Sequence, residues 1–402
     1  MSESVSHIRF VVPRFPDTSG GATVVENLMT AFRQRGITVD VVSIYPGSKN
    51  QEGASPTGAD DVVTVLERED LHRYPVSISY GPLRAAPLAL FKRWDRWRRL
   101  SALRRTMATL PANSVVIYTH VLGKMMVDES GFQRSPTGPL FVGQHHSSFA
   151  SLEDEPWLRE ALPKHFADCD AFVALSDEDA ASFGSLLDVP CVAIPNPAPE
   201  GRTLTTQLAK RAVALARFSH EKQIPLMVRL FAAAITVPEA DGWSLAIYGD
   251  GVERPQVAEA VERSGMSTRI ELAGVVDDSA TALSDASLNL LTSSLEGFPM
   301  TILEAACSAV PSIAFDCSAG VRSQLENEAG YLVHSQNEDA YVAALRGAML
   351  DDIERRRRGE NARARAERYA PSRIVDDWLA LTEGSRRPHR ATTVVSAPQL
   401  RS

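Results

Sequence analysis

The first half of the chain sets short apolar runs between amphipathic stretches. "HIRFVVP" (7–13) reads as a buried strand, "TVVENLMTAFRQRG" as a helix with apolar residues at helical spacing and Gly36 as its stop, and "ITVDVVSIY" as a second strand. "DVVTVL", "SVVIYTH", "PLFVGQ", "AFVALS" and "VPCVAIP" continue the series, most of them separated by helix-length segments. "IPNPAPEG", rich in Pro and Gly, is the best boundary in the chain. Beyond it the alternation restarts with "RAVALARFS", "WSLAIYGDG", "RIELAGVV", "ASLNLLTSS", "VPSIAFD" and "GYLVH". Strands that alternate with helices pair in parallel, so the pattern predicts an α/β chain of two doubly wound domains. The expected limits are 1–196 and 197–370, then a helix over 371–384 and a polar, aperiodic tail over 385–402 that reads as disordered.

Composition narrows the class. With 402 residues, 44% hydrophobic, 23% charged and a net charge of −8, the chain reads as an ordinary globular protein. Mild acidity argues against a nucleic-acid partner, which calls for a basic domain. Cys169, Cys191, Cys307 and Cys317 lack metal-ligand spacing and are expected to be buried free thiols in a reducing cytoplasm. "MSESVSHIRF" does not read as a signal peptide, and no run is long enough to span a bilayer. The expected location is the cytoplasm, or the inner face of the membrane at most.

Candidate chemistry gathers where strands end. Gly20 and Gly21, between a strand and a helix start, let backbone N–H groups approach an anion. A tight turn with no ligand explains them equally well. "RFSHEK" (217–222) brings Arg217 and Lys222 to the carboxyl edge of the second sheet, where two cations suit a diphosphate. "YGDG" (248–251) and "AGVVDD" (273–278) end strands at that same edge. "SSLEGFPMTILEAAC" predicts a helix starting near Phe298 with Pro299 in its first turn, which leaves Glu296 in the loop and Glu304 inside the helix. A carboxylate accepts two hydrogen bonds and suits vicinal sugar hydroxyls. Helix-end complementarity alone explains Glu296 but not Glu304, which sits in an apolar run.

These stretches, in this order, resemble family 4 retaining glycosyltransferases of the GT-B fold, two Rossmann-like domains facing each other across a cleft. Glu296-Gly-Phe-Pro-Met-Thr-Ile-Leu-Glu304 is similar to their E-x7-E motif, "ARFSHEK" to their R-x4-K, "IYGDG" to their G-x-G segment, and "AGYLV" to a late strand. Gly20-Gly21 is similar to their N-terminal glycine loop, "ALSDED" to an interdomain-side strand and helix, and "IPNP" to their linker. "QHHSSF" and "FDCSAG" are closest to members that glycosylate bacterial cell-wall or surface polymers, although "FDCSAG" lacks the paired glycines many members carry. The resemblance implies an acceptor-binding first domain, a nucleotide-sugar-binding second domain and a final helix crossing back to the first.

It also implies roles. Arg217 and Lys222 would neutralise the leaving diphosphate, Glu304 would hold the ribose, and Glu296 with the backbone of Gly297 and Phe298 would orient the hexose. Pro299, Met300 and Thr301 continue that donor loop; Gly249, Gly20 and Gly21 complete the donor contacts, and the backbone of Val275 and Val276 would meet the base. A strand-end histidine faces the donor sugar in the family. His145 fits the usual offset from Pro139, and its neighbour His146 stands as the alternative. No cofactor and no metal are expected, a nucleotide-sugar serving as co-substrate. The acceptor would be a polymer, a glycolipid or a small molecule. Two competing readings are a nucleotide-sugar epimerase of the same fold and a silent binding subunit that activates a partner transferase.

One basic stretch stands apart. In "LALFKRWDRWRRLSALRRTM" (88–107) apolar residues at 91, 94, 97, 100, 103 and 107 fall near helical spacing, with Lys92, Arg93, Arg96, Arg98, Arg99, Arg104 and Arg105 over the rest. Its plain reading is a helix packed on the sheet with solvated arginines. The other is contact with an anionic membrane surface or a polyanionic acceptor.

Overall fold

The computed structural model describes residues 4–17, 19–47, 62–65, 82–276 and 278–385, the side chains of 82–93 excepted. Two parallel sheets carry it. The first runs β1 (His7–Phe15), β2 (Thr38–Pro46), β3 (Val62–Thr64), β4 (Ser114–Tyr118), β5 (Leu140–Gln144), β6 (Ala171–Ala174) and β7 (Cys191–Ala193), in the spatial order 3-2-1-4-5-6-7. The second holds β8 (Arg211–Leu215), β9 (Ser244–Tyr248), β10 (Ile270–Gly274), β11 (Leu288–Leu291), β12 (Ser312–Phe315) and β13 (Gly330–Val333), in the order 10-9-8-11-12-13. This is the GT-B architecture of paired doubly wound domains. Helices cover both faces of each sheet, so interior strands such as SVVIY and LFVGQ are buried along their whole length.

Each face has its own core. Phe10, Phe32, Val41 and Ile117 pack on one side of the first sheet, and Tyr118, Phe141, Phe166 and Phe172 on the other. Ile247, Phe231, Trp243 and Tyr341 belong to the second domain's core. The first of these cores does not stop at the domain limit: Phe298, Met300 and Leu303 of the second domain join it, as do Tyr369 and Trp378. The helix Pro371–Ser385 returns to the first domain, where Ile374, Val375 and Trp378 are buried and Asp376 pairs with Arg35 at 2.7 Å. The connection 194–210 is shared, Ile194 and Ala198 lying in the first core while Gln207 Nε2 donates to the Ala309 carbonyl at 2.5 Å. Of the expected tail 385–402, Ser385 closes the helix Pro371–Ser385 and 386–402 lie outside the described residues.

Two expectations change. The helix after Glu296 is Met300–Cys307, with Pro299 as its extended cap (ψ 120°), two residues later than expected. Proline supplies no N–H, and the loop before it is held from across the cleft, since Asn196 Nδ2 donates to the Phe298 carbonyl at 3.1 Å. In the basic helix Pro82–Ala108 the expected single apolar stripe divides. Leu100, Leu103 and Met107 are buried, whereas Trp94 and Trp97 face solvent at 54% and 65% exposure. Arg96 and Arg99 turn to protein partners, Glu129 and Asp95, while Arg98 lies over the Trp94 ring and Arg104 and Arg105 are exposed. Residue 91 and the cations Lys92 and Arg93 lie outside the described side chains. The four cysteines are free; Cys169 is buried and the other three are half-buried. No helix among the described residues is long and apolar enough to cross a membrane.

Candidate active site

In both sheets the strand order reverses beside the first strand of the domain, between β1 and β4 and between β8 and β11. Loops leave such a point in opposite directions and open a crevice at the carboxyl edge. The two crevices face each other and enclose a cavity of about 500 Å³. Its walls come from the loops after β1 (Asp17, Gly20, Gly21), β5 (His146), β8 (Arg217, Lys222), β9 (Gly249, Asp250), β10 (Val275, Val276) and β11 (Glu296 to Thr301), with Glu304 beyond.

The cation loop is shaped by backbone. Gly249, at φ +142°, has no room for a side chain: a Cβ there would stand 1.8 Å from the Ala216 carbonyl oxygen, so β9 closes tightly against the segment carrying Arg217. Thr292 Oγ1 donates to the Lys222 carbonyl at 3.0 Å, and the Ser294 N–H to the Glu221 carbonyl at 2.8 Å, which fastens the loop after β8 to the loop after β11. Lys222 Nζ therefore meets Glu296 Oε1 at 2.7 Å, and Ser293 Oγ donates to the same oxygen at 2.7 Å. Glu296 is buried and Arg217 is exposed in the cleft. The backbone N–H groups that open the helix Met300–Cys307 lie beside these charges, at the end where a helix favours an anion.

Across the cleft, the helix Gly20–Gln34 begins on Ser19, whose Oγ accepts from the Ala22 N–H at 3.4 Å. A Cβ at Gly21 would meet nothing, and one at Gly20 only Met300 Cγ at 4.0 Å, so the glycines leave room that the protein itself does not fill. At the other end of the cavity Val275 is an exposed apolar shelf, and Glu304 stands 4.0 Å from Arg202 Nη2. Burial raises the Glu304 carboxyl above its usual range; Ser279 and Arg202 oppose that shift.

The two histidines point to opposite sides of the strand end. His146 lines the cleft; His145 does not, which corrects the offset that favoured it. His145 is buried in the first domain with Nε2 3.1 Å from Ser151 Oγ and its ring edge-on to Phe183. Burial lowers His146 to about 4 and His145 to about 3, so both rings are neutral near pH 7. Behind His146 the domains touch through backbone: a Cβ on Gly297 would stand 2.6 Å from the His146 carbonyl oxygen. Gly320 of "FDCSAG" does the same on the other side, where a Cβ would stand 1.9 Å from the Gly297 carbonyl oxygen. The glycine kept in that stretch thus serves the Glu296 loop by close packing.

Three residues escaped the sequence reading. Asn196 lines the cleft and pins Phe298, Ser293 holds Glu296, and Arg202 approaches Glu304. Asn196 carried a signal, a polar residue between two prolines in "IPNP"; the other two carried none, since their partners are set by tertiary packing.

Residues 207–365 match the family described as glycosyl transferases group 1. The chain is 32% identical over 192 residues to an exopolysaccharide phosphotransferase of Streptomyces coelicolor, covering 47% of this chain and 20% of that protein. It is 26% identical over 170 residues to a poly(glycerol-phosphate) alpha-glucosyltransferase of Bacillus subtilis, covering 42% of this chain and 25% of that one. Against a poly(ribitol-phosphate) alpha-N-acetylglucosaminyltransferase of Staphylococcus aureus it is 27% identical over 169 residues, 42% of this chain and 34% of the other. The chain thus spans about a third or less of these three relatives' own length. In fold it is similar to the pneumococcal O-GlcNAc transferase GtfA solved with UDP and GlcNAc, with a TM-score of 0.73 at 15% identity over 95% of this chain and 99% of that one. TarM gives a TM-score of 0.69 at 15% identity over 94% and 99%. The match to the glycosyl transferases group 1 family thus lies in the second domain, on the segment 207–365 that carries Arg217, Lys222, Glu296 and Glu304.

Proposed function

We infer that the protein is a retaining glycosyltransferase that moves a hexose or N-acetylhexosamine from a UDP-sugar to a hydroxyl of a cell-wall, surface-polysaccharide or glycolipid acceptor. The observation that carries this reading is the meeting of Arg217, Lys222, Glu296, Glu304 and the N-terminus of the helix Met300–Cys307 in a single cleft. Relatives named for polyol-phosphate polymers and a fold neighbour solved with UDP and GlcNAc support the donor and acceptor classes.

In this reading the diphosphate lies on Arg217, Lys222 and the first turn of Met300–Cys307, with the ribose on Glu304 and the base against Val275 and Val276. Lys222 exchanges Glu296 for phosphate as the donor enters, and Glu296 turns to the hexose hydroxyls. The bond from the anomeric carbon to the phosphate oxygen breaks, and its electron pair leaves with the diphosphate. The acceptor oxygen bonds the anomeric carbon from the same face and passes its proton to the departing phosphate. Negative charge grows where the cations and helix N–H groups stand, so the side chains supply the stabilisation a metal would otherwise give. Neutral His146 contributes a hydrogen bond to the sugar rather than a charge.

A thermal-shift panel of nucleotide-sugars followed by transfer assays tests this. UDP-sugars are expected to raise Tm, and free UDP to form only with acceptor, in a product whose anomeric configuration is that of the donor. Sugar interconversion without UDP release would make the protein an epimerase, and binding with neither reaction a silent subunit. Glu304→Ala is expected to weaken donor binding about tenfold and to lower kcat/KM at least as much, read by calorimetry and initial rates. Wild-type transfer in that variant would count heavily against the site.

We further propose peripheral membrane contact through the helix Pro82–Ala108. Trp94, Trp97, Arg98, Arg104 and Arg105 share its solvent side, a cationic and aromatic face on a chain of net charge −8. Vesicles of phosphatidylglycerol are expected to sediment the protein and phosphatidylcholine vesicles not, with binding lost in the Arg98→Glu, Arg104→Glu, Arg105→Glu variant. Sedimentation indifferent to that reversal would remove the idea.

A further inference from the structure

Arg202 lies on the linker between the domains, and the donor-site reading above gives it no role. Gly201, at φ +72°, turns the chain just before it, a conformation other residues resist. The Arg202 side chain is 13% exposed and spreads its fork over three groups. Nη1 donates to Asp278 Oδ1 at 2.8 Å, Nη2 donates to Ser279 Oγ at 2.9 Å, and Nη2 stands 4.0 Å from Glu304 Oε1. Asp278 Oδ1 in turn accepts the Ala280 N–H at 2.9 Å and caps the helix Ser279–Leu283. One guanidinium therefore joins the linker, the loop after β10 that carries Val275 and Val276, and the helix that carries Glu304.

We propose that Arg202 is a positioning residue for the nucleoside end of the donor, fixing Glu304 against the Val275–Val276 loop so that its carboxylate meets the ribose hydroxyls. The proposal rests on the nucleotide-sugar reading of the cleft. Arginine suits the task because its planar fork holds two partners at fixed angles, which a lysine point charge does not. The charges around Glu304 point the same way. Burial raises its carboxyl and Asp278 adds to the rise, while Arg202 and the Ser279 hydroxyl oppose it. Cys307, farther along the same helix, is pushed up to about 11 and is neutral; Arg363 of the helix Asp352–Ala366 lies beyond that thiol. Without Arg202, burial and Asp278 act with less opposition, so Glu304 takes up its proton at a higher pH and loses one of its acceptor oxygens.

The test measures binding of UDP and of inorganic pyrophosphate to the full chain by calorimetry, across the acid range, in wild type, Arg202→Met and Arg202→Lys. Arg202→Met is expected to raise the Kd for UDP about tenfold. Pyrophosphate, which lacks the nucleoside, is expected to keep its wild-type Kd. The acid-side loss of UDP binding should begin at a higher pH than in wild type, and donor KM should rise while kcat stays close to wild type. Arg202→Lys is expected to keep the wild-type acid limb, because the charge remains, with UDP affinity between the other two. Equal losses for UDP and pyrophosphate, or an Arg202→Met profile identical to wild type, would overturn the role. If Arg202→Met does not fold, a shifted acid limb in Arg202→Lys overturns it instead. A wild-type chain that binds pyrophosphate but not UDP overturns the nucleotide reading itself and this inference with it; UDP binding indifferent to Arg202→Met overturns this inference alone.

Discussion

Arg217→Ala is expected to lower kcat by about 10²- to 10³-fold, the usual effect of removing one preorganised group from a site where charge develops. The Kd for UDP should change far less. Arg217 is exposed, so in the proposed donor complex water would screen much of its attraction to the diphosphate. In the proposed reaction the diphosphate gains a further negative charge beside Arg217 as the sugar leaves, and closure of the cleft would exclude the water that could replace a guanidinium. Initial rates at saturating donor, set against calorimetric affinity for UDP, separate the two effects. A variant with unchanged kcat would remove Arg217 from the leaving-group site. Lys222→Ala is the less clean test. Lys222 pairs with buried Glu296, so its loss also strands a carboxylate and mixes stability with catalysis.

The cleft depends on the two domains being held in one arrangement, and the contacts that hold them are the ones that shape the site. The Phe298 carbonyl accepts from Asn196 of the linker, the Phe298 ring packs edge-on to Tyr369, and Met300 and Leu303 lie in the first domain's core. The helix bearing Glu304 is thereby anchored in both domains. At the rim Arg322 of the second domain reaches Glu178 of the first at 2.6 Å, an exposed pair that contributes little by itself. Relative motion of the domains would draw the Glu296 loop away from His146, so in the proposed function opening and donor release would be coupled by packing.

The sheets were legible because buried parallel strands are short apolar runs, and thirteen of these, most of them separated by helical stretches, stand in a chain that breaks at "IPNPAPEG". The residues of the cleft were legible because a doubly wound sheet brings every strand's carboxyl end to one edge, so Gly20, Arg217, Gly249, Val275 and Glu296 had to converge once the strands were known. What escaped depended on direction rather than on order along the chain. His145 and His146 alternate across the end of β5, and only the packing of Ser151 and Phe183 against His145 turns the other ring into the cleft. The spacing of apolar residues in 88–107 gave Trp94 and Trp97 the same standing as Leu100 and Leu103. The helix rotates the tryptophans outward because the inner side is filled by Leu100, Leu103 and Met107. Arg202 sits in a linker with no periodicity, so nothing local marks it.

Gly320→Ala is expected to be destabilising by about 1–3 kcal/mol, the cost of forcing a methyl group into a packed interior. On a chain of this size that lowers Tm by roughly 1–4 °C. The new Cβ would stand 1.9 Å from the Gly297 carbonyl oxygen, 2.9 Å from its carbon and 3.1 Å from Phe298 Cα, all backbone atoms that cannot swing aside. The segment that must yield carries Glu296 and is trapped between Gly320 and the His146 carbonyl, so transfer activity should fall by more than the loss of folded protein explains. A misplacement of about 1 Å is enough to cost about 10²-fold in rate. Gly347→Ala makes the same chemical change in the helix Glu338–Leu350, where a Cβ meets nothing within 4 Å. There alanine is expected to stabilise by about 0.5–1 kcal/mol through helix propensity and to leave activity unchanged. Thermal melts and initial rates on the two variants therefore predict opposite signs for one added methyl. A Gly320→Ala protein with the wild-type Tm and wild-type kcat would show that the Glu296 loop is not held by this contact.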